Sequence, residues 1–522
     1  MATFKQGRRR FLRSAAATGG IALLGGSQAS TAAPRTGTSA RDGQQLAGLR
    51  ERIDHIIVIY QENRSFDHYF GAYRSASGAP VAGLLDANGR IDARFDGLQR
   101  NAFGAAYKYL PMPYRVAAFP HRPLPNRPFH LAPYIPPDDN LPYDPMHQFF
   151  RMGAQINLGR MDRFVALAAA GRHDFLDTGP ARGGAVDELA TSTPSGAVVG
   201  FYTREDLPRY HRLADEYVLL DHFFQAMTGG STGNALYLVA ARPCRASNPP
   251  QAGSHGRFPP LDLAYDRHGI LVNDVPPVQG PTETFLGPIE LCPPPEEQAH
   301  PHIGTRLDGA GIPWAWYGEG WAEVKSWALM RARGSADSSV VVDSTESYLP
   351  HHNPFQYFPS WFDHVKRGRI RDSDDFLEDL RGGRLPQVAF VKATGSHDEH
   401  PANSAPRWGE HWVMSLLEAL GASRYWSRSL VVITYDEGGG YWDHVAPPVR
   451  DAYGCGTRIP ALLVSPWARR GYVDHRTTDT TAILALIEAR FGFAPLAAAD
   501  AAAYNLLDGL DFSQQGRPPA FG

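Results

Sequence analysis

Cysteine is scarce in this sequence, which contains three in 522 residues: Cys244, Cys292 and Cys455. None of them belongs to a Cys-x-x-Cys pair, so the usual cysteine signature of a zinc site is excluded. The spacing is compatible with one disulfide and one thiol, and equally with three buried thiols. A metal centre built on cysteine is therefore not predicted.

A hydrophobic run long enough to cross a membrane is also missing near the N-terminus. The weakly apolar stretch from Ala15 to Gly26 is too short for a membrane-spanning helix, which takes about twenty residues. It follows a basic segment without acidic residues and precedes small residues up to Ala33, the pattern of a cleaved export signal. Within the basic segment, Arg8-Arg9-Arg10-Phe11-Leu12-Arg13 resembles the twin-arginine signature of exported proteins.

These features predict a signal peptide over residues 1–33 and a linker over residues 34–52. The mature protein is then expected in the periplasm or outside the cell. Its partners would include the twin-arginine export machinery, and it would have no stable membrane anchor.

An excess of basic residues is absent as well. The chain has 51 Lys and Arg against 54 Asp and Glu, and loss of the five basic residues in 1–33 leaves 46 bases and a net charge near −8. Proteins that bind nucleic acid or anionic membranes in general carry the opposite bias. No nucleic-acid partner is predicted.

Apolar strand-like runs followed by helical patterns recur at Ile56–Tyr60, Tyr217–Leu220, Gln387–Lys392, Leu430–Thr434 and Ala461–Ser465. This alternation predicts an α/β fold with a mostly parallel central sheet flanked by helices. The last helix is expected to have Asp479 as its N-cap and to stop at Gly492.

Two long stretches, residues 72–145 and 243–300, are rich in Pro, Gly and Asn and lack periodicity. Irregular insertions of this length usually build lids and pocket walls of enzymes. Because no internal repeat or long internal linker occurs, we predict one catalytic domain over residues 53–510 that carries both insertions. Residues 511–522 form a tail too short to fold alone.

Acidic and amide side chains follow two of the predicted strands. Glu62 and Asn63 come after the run that ends at Tyr60, and Asp436 and Glu437 come after the run that begins at Leu430. Open α/β sheets bind ligands along the carboxyl ends of their strands, so these side chains can converge on one cation. A metal-assisted enzyme is the leading hypothesis.

A hydroxyl nucleophile is indicated in the glycine-rich segment Met227–Ala240. The apolar run after Asn234 predicts a helix, which places Ser231 or Thr232 at a helix N-terminus. Free N–H groups and the helix dipole favour a phosphate at such a place. Taken alone, the segment also fits an ordinary hydroxyl N-cap behind a glycine turn.

Histidines occur in three suggestive settings. His147 ends the first irregular stretch, His351 and His352 follow a polar loop, and His400 follows the strand-like run that ends at Lys392. Imidazoles can hold phosphate oxygens, protonate a leaving alkoxide or bind a metal. Their clustering near strand ends favours a functional role over a surface role.

Together, these segments resemble the bacterial phosphoesterase family, which joins non-haemolytic-type phospholipases C with exported acid phosphatases. The segments that carry the resemblance are Glu62–Gly71, Gly229–Ser231 with Asn234, Asp398–Pro401, Tyr435–Gly439, Asp443–Val445 and Ser465–Arg469. The resemblance extends in order from about residue 53 to residue 492. It implies an alkaline-phosphatase-like α/β fold.

The resemblance also implies the roles of individual residues. One divalent cation would be bound by Glu62, Asn63, Ser231, Asp436 and Glu437. Phosphate would be bound by His147, His352 and His400, with further substrate contacts from His351, Asn234 and His444. Oxygen ligands suit Ca²⁺, Mg²⁺ or Mn²⁺ and do not exclude Zn²⁺ or iron.

In this scheme Ser231 is the nucleophile and forms a phosphoseryl intermediate. His400 or His352 would protonate the leaving oxygen, and the sequence does not choose between them. A second group of motif residues is expected to hold the loop behind the metal rather than to touch substrate: Arg64, Phe66, Asp67, Tyr69 and Phe70.

The substrate class leaves alternatives open. Ser231 in place of Thr, Gly233-Asn234-Ala235 in place of Pro-Asn-Arg, and an end soon after the last helix depart from phosphatidylcholine-directed relatives. We therefore expect an exported acid phosphatase that hydrolyses p-nitrophenyl phosphate faster than p-nitrophenylphosphorylcholine. The alternatives are a phospholipase C that cleaves phosphatidylcholine-type lipids and a non-catalytic exported binding protein. The partner would be a small phosphorylated substrate or a phospholipid headgroup.

Two further signals bear on the same choice. The aromatic group Trp314, Trp316, Tyr317 and Trp321 fits either the wall of a choline site or a buried core. A sulfatase would need a Cys/Ser-x-Pro/Ala-x-Arg motif, which Ser231-Thr232-Gly233-Asn234-Ala235 lacks.

Overall fold

The computed structural model describes residues 40–101, 103–111, 124–168, 194–246, 264–277, 279–283, 298–332, 341–342 and 348–521. The chain divides into two compact units, residues 1–43 and 44–522. The predicted signal peptide and Cys292 lie outside the described residues. Cys244 and Cys455 are both buried and free.

An eight-stranded sheet forms the centre of the larger unit. Its strands are β1 (His55–Gln61), β2 (Val218–Leu220), β3 (Trp314–Gly318), β4 (Ile370–Arg371), β5 (Val388–Lys392), β6 (Ser429–Tyr435), β7 (Ala461–Val464) and β8 (Tyr472–Asp474). Across the sheet the order is β4-β3-β5-β1-β6-β7-β2-β8. Only β7 runs antiparallel to its neighbours in this sheet. The prediction of a mostly parallel sheet is confirmed.

All five predicted strand-like runs are strands of this sheet, namely β1, β2, β5, β6 and β7. Every residue from Ile56 to Gln61 is buried, because a parallel sheet is covered on both faces. Tyr60 of β1 lies opposite Lys392 of β5 and opposite Thr434 of β6. The carboxyl ends of these three neighbouring strands therefore meet at one edge of the sheet.

Helices and short strands surround the sheet. The α-helices are α1 (Ala40–Arg52), α2 (Phe66–Phe70), α3 (Phe149–Ile156), α4 (Phe164–Leu167), α5 (Pro208–Glu216), α6 (Ser231–Ala240), α7 (Ile303–Gly309), α8 (Trp321–Ala332), α9 (Trp361–Lys366), α10 (Ser373–Gly382), α11 (Pro406–Gly421), α12 (Ala482–Phe491) and α13 (Ala498–Ala502). The short strands pair Tyr109–Leu110 with Leu124–Pro125, Phe129–His130 with Gly200–Phe201, Phe223–Phe224 with Thr478–Asp479, and Thr282–Glu283 with Val341–Val342. Among the described residues, no helix combines the length and apolarity that a bilayer crossing needs.

The two predicted insertions contain little regular structure in their described parts. They hold only two-residue strands and one short 3-10 helix, Ala93–Phe95. Residues 40–52 of the predicted linker are helical in α1, which is followed by the fully buried Ile53; within the helix, Leu49 is fully buried too. This apolar anchor gives the helix a packing face that a linker would lack.

The last predicted helix is α12, but its N-cap position is Thr481 and not Asp479, so the predicted cap is wrong. Oδ1 of Asp479 instead accepts hydrogen bonds from the backbone N and the hydroxyl of Thr481, at 2.8 and 2.5 Å. The helix ends at Gly492 as predicted, with φ of 75° in the left-handed region that glycine favours.

The aromatic group around β3 belongs to the core. Trp314, Trp316, Tyr317 and Trp321 are each at most 1% exposed. Trp316 stacks on Phe390 of β5 with ring centroids 5.9 Å apart. Because a choline wall needs exposed ring faces, the core alternative is confirmed and the choline-wall alternative is wrong.

Candidate functional site

The predicted acidic segments meet at the common edge of β1 and β6. Glu62 and Asn63 follow β1, Asp436 and Glu437 follow β6, and all four side chains are fully buried. Oδ1 of Asp436 accepts hydrogen bonds from the backbone N of Asn63 at 2.9 Å and of Glu437 at 2.7 Å. The structure thus brings both segments together as the parallel strands require. We call Glu62, Asn63, Asp436 and Glu437 the acidic group.

The loop after β1 depends on tight backbone packing. Asn63 has φ of 59°, which lies in the left-handed region. Gly439, with φ of 60°, lies so close that an added Cβ would come within 2.4 Å of the carbonyl oxygen of Asn63. A side chain at position 439 would therefore push the two halves of the acidic group apart.

Ser231 reaches the acidic group from helix α6. It is the first residue of the helix after the extended Gly230, and it is buried. Its hydroxyl donates to Oε2 of Glu62 at 3.1 Å. The Thr232 hydroxyl is buried and has no hydrogen-bond partner in the described part of the chain. Of the two candidate hydroxyls, Ser231 is the one that contacts the acidic group.

Several buried oxygens of the acidic group lack hydrogen-bond partners among the described residues. These are Oδ1 of Asn63, Oδ2 of Asp436 and Oε1 of Glu437. Buried polar atoms in folded proteins are nearly always hydrogen-bonded, so three such oxygens in one cluster require an explanation. A divalent cation would satisfy all three, and oxygen ligands of this kind suit hard cations. The residues present therefore fit a cation site.

Electrostatics in the acidic group favour added positive charge. Burial, together with the nearby Asp436 carboxylate, raises the pKa of Glu62 well above its usual range. Burial also raises the pKa of Glu437, against the opposing effect of His147. Carboxyl groups crowded into a buried site in this way are stabilised as anions by a bound cation.

Two histidines face the Glu437 side of the site. Nδ1 of His147 lies 2.6 Å from the carbonyl oxygen of Pro145, and Nδ1 of His400 lies 2.5 Å from that of Pro401. A carbonyl can only accept, so each Nδ1 carries the proton and Nε2 is directed elsewhere. Nε2 of His147 lies 3.4 Å from Oε1 of Glu437. The imidazole rings of His147 and His400 have centroids 6.0 Å apart.

The histidines differ in pKa. Burial alone would lower the pKa of His147, but the carboxylates of Glu437 and Asp144 raise it to about 10. His352 lies on the other side, with Nδ1 at 3.4 Å from Oε1 of Glu62. Burial, aided by His351, lowers the pKa of His352 well below its usual value. The pKa of the histidine on the Glu437 side is thus raised, and that of the histidine on the Glu62 side is lowered.

Of the other predicted substrate contacts, Asn234 and His444 make hydrogen bonds away from the acidic group, and His351 lies beside His352. Oδ1 of Asn234 accepts from the backbone N of Met227 at 2.9 Å, and its Nδ2 donates to the carbonyls of Gly229 and Gly230. The rings of His351 and His352 meet edge to face, with centroids 4.1 Å apart.

Nδ1 of His444 lies 2.7 Å from Oδ2 of Asp67, whose other oxygen accepts from Arg458 at 3.0 Å. Asn234 and His444 thus hold loops, and these contacts do not involve the acidic group.

The loop behind the acidic group is held by a second buried carboxylate, Glu399. Its carboxylate accepts hydrogen bonds from four side chains: Gln61 at 3.1 Å, Tyr69 at 2.5 Å, Tyr210 at 2.5 Å and Tyr435 at 2.9 Å. Nε of Arg64 donates to its backbone carbonyl at 2.9 Å. Arg64 and Tyr69 therefore pack behind the site, as the sequence predicts for this loop.

Sequence reasoning missed two charged residues of the site. Nζ of Lys392 donates to Oε1 of Glu62, and Oδ1 of Asp274 accepts from the backbone N of Thr232 at 2.8 Å. The sequence could have indicated a role for Lys392, because a lysine that ends a fully apolar strand seldom stays unpaired when buried. Asp274 lies in a predicted irregular insertion, where no sequence pattern indicated a role for it.

The chain belongs to the Phosphoesterase family, whose model matches residues 53–494. The predicted family is confirmed.

The chain is similar to several bacterial proteins named phospholipase C. It is 27% identical to the non-hemolytic phospholipase C of Burkholderia pseudomallei, over 93% of this chain and 61% of that protein. It is 26% identical to the hemolytic phospholipase C of Pseudomonas aeruginosa, over 85% of this chain and 53% of that protein. It is 26% identical to phospholipase C B of Mycobacterium tuberculosis, over 93% of this chain and 81% of that protein. The chain thus spans only 61% and 53% of the first two relatives.

Similarities to solved structures are weaker. A protein of the alkaline phosphatase superfamily from Vibrio parahaemolyticus matches with a TM-score of 0.28 at 12% identity, over 61% of this chain and 66% of that chain. Murine ectonucleotide pyrophosphatase/phosphodiesterase 5 matches with a TM-score of 0.32 at 13% identity, over 58% of this chain and 95% of that chain. The family assignment depends on the sequence match and not on these structures.

Proposed function

We propose that this protein is a metal-dependent phosphoric ester hydrolase of the phospholipase C type, with Ser231 as its nucleophile. The observation that carries the proposal is the hydrogen bond of 3.1 Å from the Ser231 hydroxyl to Glu62 inside the buried acidic group. A hydroxyl at a helix N-terminus beside clustered metal-ligand oxygens is well set to attack phosphorus.

One divalent cation would be held by Glu62, Asn63, Ser231, Asp436 and Glu437. When bound, it supplies neutralisation of the phosphate charge and a lower pKa for the serine hydroxyl. Its identity among Ca²⁺, Mg²⁺, Mn²⁺, Zn²⁺ and iron is left to elemental analysis of the purified protein.

The side chains of the site then have separate roles in the reaction. Glu62 orients the Ser231 hydroxyl by accepting a hydrogen bond from it. His147, with its pKa raised to about 10 by Glu437 and Asp144 against the effect of burial, donates from Nε2 to a phosphoryl oxygen. His400 presents Nε2 beside it and protonates the leaving alkoxide. The oxygen of Ser231 attacks phosphorus while the bond from phosphorus to the leaving oxygen breaks, and the hydroxyl proton passes to Glu62, which gives the phosphoseryl intermediate.

Hydrolysis of that intermediate needs a base. His352 suits this step because burial and its neighbour His351 lower its pKa and keep the imidazole neutral. A neutral imidazole can take a proton from the attacking water, whereas an imidazolium cannot.

The names of the similar proteins support a phospholipase C rather than the acid phosphatase expected from the sequence. They share 26–27% identity with this chain over most of its length. The phosphatase remains the second candidate, because Ala235 stands where phosphatidylcholine-directed relatives carry Arg and it is 2% exposed. The methyl group of Ala235 cannot make the polar contact that an Arg would make.

The deciding experiment compares p-nitrophenylphosphorylcholine with p-nitrophenyl phosphate on the purified, metal-loaded protein. We expect faster hydrolysis of the choline diester, together with release of phosphorylcholine from phosphatidylcholine vesicles. A preference for the monoester would support the acid phosphatase. Absence of turnover on both, with metal bound, would support a binding protein.

We also propose that the protein is exported by the twin-arginine route to the periplasm or the medium. Support comes from the basic segment and the apolar stretch behind it. Replacement of Arg8 and Arg9 by Lys should leave the full-length chain in the cytoplasm, as cell fractionation would detect. Normal export of this variant would reject the route.

A further inference from the structure

A buried lysine closes one side of the acidic group. Lys392 is the last residue of β5, lies opposite Tyr60 of β1 and is 3% exposed. Its Nζ donates to Oε1 of Glu62, while Oε2 of Glu62 accepts from Ser231. Each oxygen of Glu62 thus has a different donor, and the ammonium lies one side chain away from the proposed nucleophile.

The ammonium has unused hydrogen-bonding capacity. A lysine carries three N–H donors. Within the described residues, Glu62 is the one hydrogen-bond acceptor that Nζ contacts, and the other near neighbour is the ring of Tyr60, with its centroid 5.6 Å away. A buried donor is costly to leave unused, so a further acceptor is expected at this point.

The charges of the site make that acceptor an anion. Glu62, Asp436 and Glu437 are fully buried carboxylates with three negative charges between them when ionised. A divalent cation leaves one negative charge, which would repel a phosphoryl group at short range. Lys392 lies on the Glu62 side and offsets negative charge there, while His147 lies on the Glu437 side of the same group.

Fold stability gives no reason for a lysine here. A buried ion pair is at best weakly stabilising compared with apolar residues of similar size. Strand β5 is otherwise apolar from Val388 to Val391 and fully buried.

We propose that Lys392 is a positioning residue that binds Glu62 and offsets negative charge in the acidic group, so that the loaded site accepts an anionic phosphoryl group. This inference rests on the proposed function, since it assumes that the cation and the phosphoryl group bind beside Ser231. It adds a residue to which nothing in the resemblance gave a role.

The test separates charge from hydrogen bonding. Lys392→Gln keeps an N–H donor for Glu62 and loses the charge, whereas Lys392→Arg keeps the charge. Binding of inorganic phosphate is measured by calorimetry on each variant in the Ser231→Ala background with the divalent cation bound, so turnover plays no part. Cation affinity is measured in the same samples, and Lys366→Gln, with a half-exposed side chain, controls for net charge.

We expect phosphate to bind about tenfold more weakly to Lys392→Gln and nearly normally to Lys392→Arg. Cation affinity should stay equal or increase in Lys392→Gln, because a competing positive charge has been removed. Unchanged phosphate affinity in Lys392→Gln overturns the inference. Loss of the cation from Lys392→Gln also overturns it, since Lys392 would then serve only to hold a ligand.

If Lys392→Gln does not fold, the titration is made on Lys392→Met, and failure of both variants to fold would overturn the inference in favour of a structural role. If the Ser231→Ala protein itself binds neither cation nor phosphate, the proposed function fails and not merely the role of Lys392.

Discussion

The hydroxyl of Ser231 lies 3.1 Å from Oε2 of Glu62, although 169 positions separate the two residues in the chain. One residue begins a helix and the other follows the central strand of the sheet. Their contact joins the proposed nucleophile to the acidic group and is the basis of the first prediction.

Ser231→Ala should lower kcat by more than about a thousandfold, because no other group would attack phosphorus. Steady-state hydrolysis of p-nitrophenylphosphorylcholine measures the loss, and circular dichroism verifies folding. Thr232→Ala is the matched comparison and should retain activity within about tenfold. If Thr232→Ala abolishes turnover while Ser231→Ala does not, the nucleophile has been assigned to the wrong hydroxyl.

Removal of the divalent cation should abolish activity and lower stability. Loss of the cation leaves Oδ1 of Asn63, Oδ2 of Asp436 and Oε1 of Glu437 without a hydrogen-bond donor among the described residues. A ligand present at about a hundred times its Kd stabilises the folded state by about 3 kcal/mol, so chelation should cost about that much. Thermal melts before and after chelation, with elemental analysis, measure the effect.

Asp436→Asn should show a smaller or absent shift of Tm on addition of the cation, since one charged ligand is lost. Asp363→Asn, on an exposed surface, serves as the control and should behave as the wild type. An unchanged melting temperature after complete removal of the metal would count against a cation in the acidic group.

Glu399→Gln should destabilise the protein by about 1–3 kcal/mol, because one acceptor oxygen is replaced by a donor that faces either the hydroxyls of Tyr69 and Tyr435 or the hydroxyl of Tyr210 and the amide of Gln61. The free energy of unfolding in urea measures this loss. Because Tyr69 and Tyr435 flank the acidic group in the chain, kcat should also fall, with little change in KM. The exposed Glu323→Gln is the control, and equal unfolding curves for both variants would show that the Glu399 network does not hold the loop.

Acid should weaken the fold through His211. Burial lowers the pKa of this histidine from 6.5 to about 4, while its Nε2 lies 2.9 Å from the carbonyl of Tyr69. The unfolded chain therefore binds a proton between pH 6.5 and pH 4 that the folded chain does not, so stability is full above pH 6.5 and falls with decreasing pH. The loss from this group is at most about 3 kcal/mol.

Urea unfolding at pH 7, 5.5 and 4.5 measures the effect. His211→Gln should be less stable at pH 7 but should lose less stability on acidification than the wild type. Parallel pH profiles for the two proteins would show that His211 does not titrate as its burial requires.

Five of the eight strands of the sheet were predictable from apolar runs in the sequence, whereas β3, β4 and β8 were not. β1, β5 and β6 have five to seven consecutive buried residues, which a local pattern detects. β4 and β8 have two and three residues, too few for any periodicity. The antiparallel direction of β7 was also hidden, because an apolar run has no direction until its neighbours are known.

By itself the sequence determined the chemistry available at the strand ends: oxygen ligands after β1 and β6, a serine at a helix start, and histidines in the loops between. Chain direction and the parallel sheet explain why local patterns were enough for this. Only the tertiary structure decided which charges pair across the site, because Lys392 with Glu62, and Glu399 with three tyrosines, are contacts between segments distant in the chain. Such pairs depend on register and burial, which no local pattern records.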